Sequence, residues 1–232
     1  MKNITQRSPA FLLHKRRYRE SSFLVTLLTE RFSLINAVYP GARKKGRSAI
    51  DLHTSCLVSW RGTGSLVTIQ QCEPLEQFTL TGKRLFSAMY VHELLVKTLP
   101  EGAIVEGVFH AYQQLLYQLA DSSTDTHACL RNFERELLRG LGLEFVFDTQ
   151  RNGEPIHPDE SYCFKDAEGF VQVQSLEEPC IKGSTLLAIH RNDYSESETR
   201  RTAKMLLQSA FSRYIGYEKL KAGDLFGDAF LS

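Results

Sequence analysis

The chain has 232 residues, is 42% hydrophobic and holds only 7 prolines, so it can form one large or two smaller globular domains. It has no apolar run long enough to cross a bilayer and no signal-peptide core near its start, which argues against membrane insertion and predicts a cytoplasmic protein. The net charge of +1 hides an asymmetry. Residues 1–50 hold eleven Lys or Arg and two acids, whereas the remainder holds seventeen basic and twenty-five acidic residues. This asymmetry favours a polyanion as partner of the N-terminal part, and a solvated basic face is the alternative.

The first eighty residues are typical of β-strands. Five short segments are rich in β-branched and aromatic residues and are separated by turn or charged residues: AFLLHKRRY, FLVTLLTERF, LINAVYP, DLHTSCLVSW and LVTIQQCEPL. Gly62 and Gly64, between the last two, supply the positive φ that a tight hairpin needs. Five strands in about 75 residues without a helix predict a small barrel or sandwich, and the five-stranded OB-fold is the leading candidate.

After Gly82 the pattern becomes helical. Apolar residues recur at spacings of three and four in KRLFSAMYVHELLVKTL, GVFHAYQQLLYQLAD and HACLRNFERELLRGLG. An irregular section with several turn signals follows at about 144–182. The last long helix is predicted to begin with the capping box Ser195-x-x-Glu198 and to stop at Gly216.

These patterns predict an α+β multidomain protein. Residues 1–80 form an N-terminal five-stranded OB-fold β-barrel that binds nucleic acid. Residues 81–232 form an α-helical bundle domain, which carries a small irregular insert at about 144–182.

The chain carries none of the motifs of nucleotide-dependent or hydrolytic catalysis. It has no P-loop and no G-x-S-x-G elbow, and His92-Glu93 lacks the second histidine of a zinc protease because Val96 stands in its place. The five cysteines form no C-x-x-C pair, which predicts reduced thiols. We therefore expect no enzyme activity, no cofactor and no metal.

Two groups of cations stand out in the N-terminal part. They lie near the ends of predicted neighbouring strands, so both can share one rim of the barrel, where phosphates of a DNA backbone are neutralised. The candidate DNA-binding residues are Lys15, Arg16, Arg17, Arg19, Arg43, Lys44, Lys45, Arg47 and Arg61. Possible stacking platforms for bases are Tyr18, Phe32, Tyr39 and Trp60, although most aromatic residues in strands belong to the core.

Two helices of the C-terminal part carry a second candidate site. Arg131, Arg135 and Arg139 form one i, i+4 row, and the last helix offers Lys204 with the apolar Leu207 and Phe211. One interpretation is a pair of amphipathic helices with solvated faces. The other is a groove with an apolar floor and a cationic rim, suited to an acidic peptide with a hydrophobic end.

The order of the segments resembles that of the bacterial RecO family of recombination mediators over almost the whole chain. The matching pieces are AFLLHKRRYRESSFLVTLLTERF, GARKKGRSAI, LVSWRGTGSLVTI with EPL, LTGKRLFSAMYVHELLVKTLPE, LRNFERELLRGLG, GEPIHPDESYCFKDAEGF and AKMLLQSAFSRYIGYEKLKAGDLF.

This resemblance implies an OB-fold, a helical domain and, in some members, a zinc site in the late insert. It also implies binding to single- and double-stranded DNA, annealing of complementary strands, and action with RecR to load RecA onto DNA coated by the single-stranded-DNA-binding protein SSB. In some members the acidic, apolar tail of SSB docks on the helical domain, which here would engage Arg131, Arg135, Lys204, Leu207 and Phe211.

The chain departs from zinc-bearing members of that family. Residues 144–182 offer only Cys163 and Cys180, with His157 as a distant third, so we expect the insert to lack zinc. Gly46 interrupts the basic loop. Where the family commonly has two glycines after the last long helix, this chain has Gly216-Tyr217.

The expected function is a DNA-binding mediator that anneals strands and helps load RecA. The alternative is a non-catalytic hub that docks the SSB tail and RecR, with DNA contact secondary.

Overall fold

The structure of the chain is a computed structural model in which residues 5–41, 51–100, 102–165, 169–173 and 180–216 are described. Two compact units divide the chain between Thr124 and Asp125. In the described ranges no helix has the length and apolar character needed to cross a bilayer. The sequence analysis placed a domain boundary between residues 80 and 81. The first compact unit extends beyond that point and includes two helices, so the boundary stays a prediction.

The N-terminal unit begins with a five-stranded barrel. Its strands are β1 (Thr5–Tyr18), β2 (Ser22–Thr29), β3 (Ser33–Tyr39), β4 (Thr54–Arg61) and β5 (Val67–Gln77). They pair in the order β1-β2-β3-β5-β4, and β4 returns to β1 to complete the ring. All neighbours are antiparallel except β3 and β5, which are parallel. The predicted α+β fold with an OB-like N-terminal sheet is confirmed.

Alternation along the strands fills the barrel with apolar side chains. Leu12, Val25, Leu27 and Ile69 belong to one buried cluster. The strand neighbours of Val25 and Ile69 on the other face are more exposed, whereas Phe11 and Leu13 beside Leu12 are buried as well. Trp60 and Tyr39 also belong to this cluster and are almost completely buried. The expectation that they could stack on bases is therefore wrong, because their rings supply the largest volumes of the core.

A register shift between Leu12 and His14 divides β1 into two parts. The first part pairs with β4, from Thr5 opposite Arg61, and the later part pairs with β2, ending at Tyr18 opposite Ser22. A β-bulge bends its strand and increases the local twist. The long first strand can therefore pair with β4 near its start and with β2 near its end, which places its basic end beside β2.

Two helices complete the N-terminal unit, α1 (Gly82–Thr98) and α2 (Val108–Ala120). Phe11 of β1 points out of the barrel and meets the rings of Phe109 and Tyr112, with centroids 5.1 Å away in both cases. His92 of α1 is buried and forms a short hydrogen bond with the Tyr112 hydroxyl. The helices cover apolar side chains on the outside of the barrel, which is why they belong to the same compact unit.

The second unit combines three helices with a small sheet. Its elements are α3 (Thr126–Gly140), β6 (Ser161–Lys165), β7 (Gly169–Gln172), β8 (Ile181–Lys182), α4 (Gly183–His190) and α5 (Ser197–Tyr214). The sheet has the order β7-β6-β8 and lies within the predicted irregular insert. Helix α3 starts at an N-cap, Asp125, whose carboxylate accepts a hydrogen bond from the His127 amide at 3.0 Å.

Two details of this unit differ from the sequence-based expectations. Helix α4 was not predicted, because an eight-residue apolar segment has too few turns to reveal its period. The capping box at Ser195 is wrong: α5 has Glu196 at its N-cap. The Ser195 hydroxyl and amide instead donate to the Asp193 carboxylate, at 2.7 and 3.1 Å, which closes the turn before the helix.

Candidate nucleic-acid and peptide interfaces

The end of β1 carries a cluster of exposed cations. Arg16 and Arg17 are exposed, and Arg19 lies in the turn to β2 with a φ of 52°, its guanidinium 5.0 Å from the centre of the Tyr18 ring. Lys15 is half-buried, and its Nζ lies 2.7 Å from the Asp51 carboxylate. The cations are thus held at one end of the barrel by strand pairing and by local contacts.

Asp51 is a member of this cluster that the sequence analysis missed. The hydrogen bond from Lys15 holds the pKa of the Asp51 carboxyl below its usual range, and the Leu52 amide adds a second hydrogen bond at 2.8 Å. Asp51 therefore stays ionised and offsets part of the charge of Lys15. A lone acid after a basic loop has no periodic signal in sequence, and only the fold pairs it with a residue thirty-six positions earlier.

Four predicted cations, Arg43, Lys44, Lys45 and Arg47, lie outside the described residues. The described residues on either side of them are both close to the cluster at the end of β1. Tyr39, the last residue of β3, pairs with Phe23, which pairs with Arg17. On the other side, Asp51 bonds to Lys15. The chain therefore leaves the barrel and returns to it beside the same basic strand end.

Arg61 and the cluster at the end of β1 lie on opposite sides of the face formed by β2, β3 and β5. A continuous row of cross-strand partners joins Arg16 to Leu24, Val38, Thr68 and Arg61. Thr68 and both arginines of the row are exposed, and Leu24 and Val38 are half-buried, so the row lies on the outer face. Cations consequently stand at both edges of this face. Oligonucleotides use this side of other OB-folds, together with the loops after β1 and β4.

A cleft of about 470 Å³ opens beside the loop between β4 and β5. It is lined by Arg31, Phe32, Asn36 and the loop residues around Gly62, whose φ is 113°. Phe32 meets Trp60 edge-on with ring centroids 5.1 Å apart, and it is half-buried. Of the four aromatic residues considered for stacking, Phe32 and Tyr18 are the two that retain exposed surface.

Arg131 is not part of an exposed row on α3. Its side chain is 4% exposed, and its Nη2 lies 2.9 Å from an oxygen of Glu134, which is completely buried. Since α3 turns this face into the second unit, the expectation of a solvated rim at Arg131 is wrong. A guanidinium in this position holds the interior together and has no open surface for a partner peptide.

The other candidate residues of the second unit also have structural contacts. Arg135 donates to the Ile189 carbonyl at 2.8 Å and to the Asn192 side chain, and its guanidinium lies 5.3 Å from the centre of the Phe147 ring. Leu207 and Phe211 are fully buried, and Lys204 is half-buried. Helix α5 therefore uses its apolar side for the core, and the predicted open apolar floor is not formed by these two residues alone.

Two adjoining cavities lie on the second unit. A polar one of about 280 Å³ is lined by Asn132, Arg135, Glu136, Arg139, Asn192 and Leu207 among others. A larger one of about 800 Å³ is mostly apolar and is lined by residues that include Leu143, Val146, Phe164, Phe170, Arg151 and Arg213. Glu144 and Phe145 line both. Together they place apolar walls beside arginines, and only two of the predicted residues, Arg135 and Leu207, take part.

The described residues contain no group of three or more His, Cys, Asp or Glu side chains that could hold a metal ion. Cys163 is buried in β6, and Cys180 lies just before β8. His157, the third possible zinc ligand named from the sequence, is exposed.

Comparison with known proteins identifies the family. The sequence model described as "Recombination protein O N terminal" matches residues 1–78, and "Recombination protein O C terminal" matches residues 80–223. DNA repair protein RecO of Vibrio cholerae is 33% identical over 222 residues, covering 93% of this chain and 91% of that protein. DNA repair protein RecO of Cellvibrio japonicus is 37% identical over 226 residues, covering 94% and 95%. The chain therefore belongs to the RecO family of DNA repair and recombination mediators.

Proposed function

We propose that the chain anneals complementary DNA strands and, with RecR, helps to load RecA onto SSB-coated single-stranded DNA in the cytoplasm, without a catalytic step of its own. The observation that carries the proposal is the row from Arg16 to Arg61, which has cations at both edges of the outer β2-β3-β5 face. Membership of a family of recombination mediators supports the same role.

The proposed mechanism is charge neutralisation. Two DNA strands repel each other through their phosphates, and a cationic surface that holds both lowers this repulsion. Arg16, Arg17, Arg19 and Arg61 are exposed and suited to such contacts, whereas Lys15 is shared with Asp51. Arg43, Lys44, Lys45 and Arg47 remain proposed phosphate contacts.

The salt dependence of DNA binding tests this surface. We expect the triple variant Arg16→Ala, Arg17→Ala and Arg61→Ala to bind a single-stranded oligonucleotide more weakly. Its plot of log affinity against log salt should be shallower by about 2, since each lost phosphate contact removes roughly 0.7 from the slope. Annealing of two complementary oligonucleotides should slow in parallel.

A matched control removes the same charge from the other unit. Lys165, Lys182 and Arg201 are exposed there, and their triple replacement by alanine should leave the slope and the annealing rate unchanged. If the control lowers the slope as much as the barrel variant does, binding follows net charge and the proposed face is wrong. A second variant with alanine at Arg43, Lys44, Lys45 and Arg47 tests the basic loop in the same assay.

A second candidate function is an interaction hub that docks the SSB tail and RecR. The two adjoining cavities of the second unit favour it, because an acidic peptide with an apolar end needs cations beside an apolar recess. Arg135 and Leu207 line the polar cavity and stay proposed contributors to this site, whereas Phe211 is fully buried and, like Lys204, lines neither cavity. Arg139 joins them, since it lines the polar cavity with an exposed side chain.

Charge reversal at Arg139 tests the hub. Arg139→Glu should weaken binding of a labelled SSB-tail peptide at least tenfold and leave the affinity for bare DNA unchanged. Arg201→Glu, on the exposed side of α5, is the matched control. Unchanged peptide binding by the Arg139 variant would contradict docking at this cavity, and a loss of both activities would be checked against misfolding by circular dichroism.

A further inference from the structure

The cleft of about 470 Å³ on the first unit has apolar surfaces suited to a flat ligand. Its volume lies within the range of small-molecule sites in proteins. Phe32 lines it and is half-buried, and Ile104 lines it and is 64% exposed. A partly open aromatic ring and an exposed aliphatic side chain in one cleft can hold an aromatic ring by stacking.

Polar groups in the same cleft suit the edge of a nucleobase. Gln6 and Asn36 contribute side-chain amides, and Thr63 and Ser65 contribute hydroxyl groups. The Thr26 hydroxyl donates to Asn36 Oδ1 at 2.9 Å, which helps to fix the orientation of that amide. Amides and hydroxyls both donate and accept hydrogen bonds, as the edges of unpaired bases do.

The cleft also continues the proposed DNA-binding face. Gly62 lines it and directly follows Arg61, which ends the row of residues across that face. Arg31 adds an exposed cation, and no Asp or Glu occurs among the described residues that line the cleft. A DNA strand that passes Arg61 therefore meets an aromatic recess that does not repel its phosphates.

We propose that the cleft binds one unstacked base of single-stranded DNA, which stacks on Phe32. This inference rests on the proposed function, because it places a base-binding subsite beside the phosphate contact at Arg61. A base in a duplex enters only at the cost of unpairing and unstacking, so the cleft favours single strands over duplex. During annealing the base leaves the cleft as it pairs, and the finished duplex loses this contact.

The first measurement separates the base from the phosphates. A short oligothymidylate and an abasic oligomer of the same length carry the same charge. Wild type should bind the oligothymidylate about tenfold more tightly, which is the effect of one stacked base. Phe32→Leu should lose this difference and keep the wild-type salt slope. Tyr117→Leu is the matched control, because Tyr117 is 44% exposed in the same unit and does not line the cleft.

A second variant, Gly64→Leu, fills the cleft without removing a side chain from the core. Gly64 lines the cleft, its φ lies outside the left-handed region, and a Cβ there meets no atom within 4 Å. A leucine side chain can therefore enter the open space without backbone strain. This variant should weaken binding of the oligothymidylate as Phe32→Leu does and leave the affinity for duplex DNA unchanged.

Trp60 reports on the cleft directly. It is the one tryptophan of the chain, it lines the cleft, and its ring centroid lies 5.1 Å from that of Phe32. The oligothymidylate should change its fluorescence in wild type, whereas the abasic oligomer should not.

Three results would overturn base binding and favour a side chain of a protein partner as the occupant. They are equal affinity of wild type for both oligomers, the same Trp60 signal with both, and unchanged DNA binding by the Phe32 and Gly64 variants. The salt slope of the triple arginine variant is measured separately. A slope that becomes shallower as expected would therefore still support the cationic face, and the two proposals fail independently.

Discussion

The ion pair between Arg131 and Glu134 shows how burial changes the role of a charged residue. The spacing of arginines along α3 suggested one exposed row, yet the first of them is directed inward and held by a carboxylate on the same helix at 2.9 Å. Periodicity gives the faces of a helix but not which face the rest of the chain covers. Arg139 lies on the exposed side of α3, as the spacing of the arginines predicted.

Removing one partner of this pair should be costly. Glu134→Ala leaves the Arg131 guanidinium buried without its carboxylate, and we expect a loss of about 3–5 kcal/mol in the free energy of unfolding. Glu136→Ala removes the acid of an exposed pair on the same helix and should cost less than about 1 kcal/mol. Urea unfolding of both variants measures the difference, and similar values would refute a structural role for the buried pair.

His92 links the stability of the first unit to pH. Burial, together with the neighbouring His53, whose ring centre is 4.7 Å away, lowers the pKa of His92 to about 3. In the unfolded chain the pKa of a histidine is about 6.5. Between these values the unfolded state binds more protons, so stability is complete above pH 6.5 and is lost as the pH falls towards 3.

The expected loss between pH 7 and pH 5 is about 2 kcal/mol for this one group. His92→Gln should be less stable at pH 7 but should lose about that much less on acidification, because a glutamine takes up no proton. His157→Gln, at an exposed position, is the matched control. Unfolding free energies at the two pH values give the comparison, and parallel curves for His92→Gln and wild type would contradict the linkage.

At the scale of elements, Arg84 fixes the end of α2. The last carbonyl groups of a helix lack partners within it. The Arg84 guanidinium donates to the carbonyls of Leu119, Ser122 and Thr124 at 2.9, 3.0 and 2.9 Å, and to others of the same turn. One side chain of α1 thus closes α2 and shapes the loop that follows it.

Arg84→Lys should lose most of this effect although it keeps the charge, since an ammonium group cannot reach several carbonyls with a planar fork. We expect a loss of about 2 kcal/mol in stability from the hydrogen bonds removed. Gln114→Ala, on the exposed side of α2, serves as the control. Hydrogen exchange at the end of α2 should accelerate in the lysine variant alone, and protection equal to wild type would refute the cap.

Sequence patterns predicted the long elements better than the short ones. The strands β2 to β5 and the helices α1, α2 and α3 match their predicted segments closely, because each has enough residues to show a period of two or of 3.6. Strand β1 was predicted from Ala10 but begins at Thr5. Helix α4 was missed, and the start of α5 was assigned to the wrong cap. The error at α5 lies where side chains close a turn, through the Asp193–Ser195 contacts, whereas α4 is too short to show a period.

At the scale of the molecule, the compact units and the family modules divide the chain at different places. The family matches meet between residues 78 and 80, whereas the compact units divide between Thr124 and Asp125. The difference consists of α1 and α2, and Phe109 and Tyr112 of α2 pack against Phe11 of the barrel. Long-range contacts of this kind are invisible to a boundary drawn from local pattern.

Fragments distinguish the two divisions. A fragment of residues 1–124 should fold and keep a dispersed NMR spectrum, because it retains the helices that cover the barrel. A fragment of residues 1–80 should aggregate or lose several kcal/mol of stability through exposure of Phe11 and its neighbours. An equally stable short fragment would show that α1 and α2 contribute little and would favour the boundary at residue 80.

The candidate interfaces were predicted in part. The cations at the end of β1 and Arg61 were singled out because charge clusters and strand ends are visible in sequence; they are exposed, and their contact with DNA stays a prediction. Asp51, Arg151 and Arg213 were not, since each gains its significance from partners that only the fold supplies. Arg131 was misplaced for the same reason.

The row that joins Arg16 to Arg61 also sets a length scale for the DNA. It crosses four strand-to-strand steps, which at about 4.8 Å each amount to about 19 Å measured along the sheet. A nucleic-acid strand with bases stacked 3.4 Å apart covers that distance in about six nucleotides. If DNA crosses the face as proposed, six nucleotides is therefore the shortest stacked oligonucleotide that touches both edges, and annealing between two strands starts from a match of about that length.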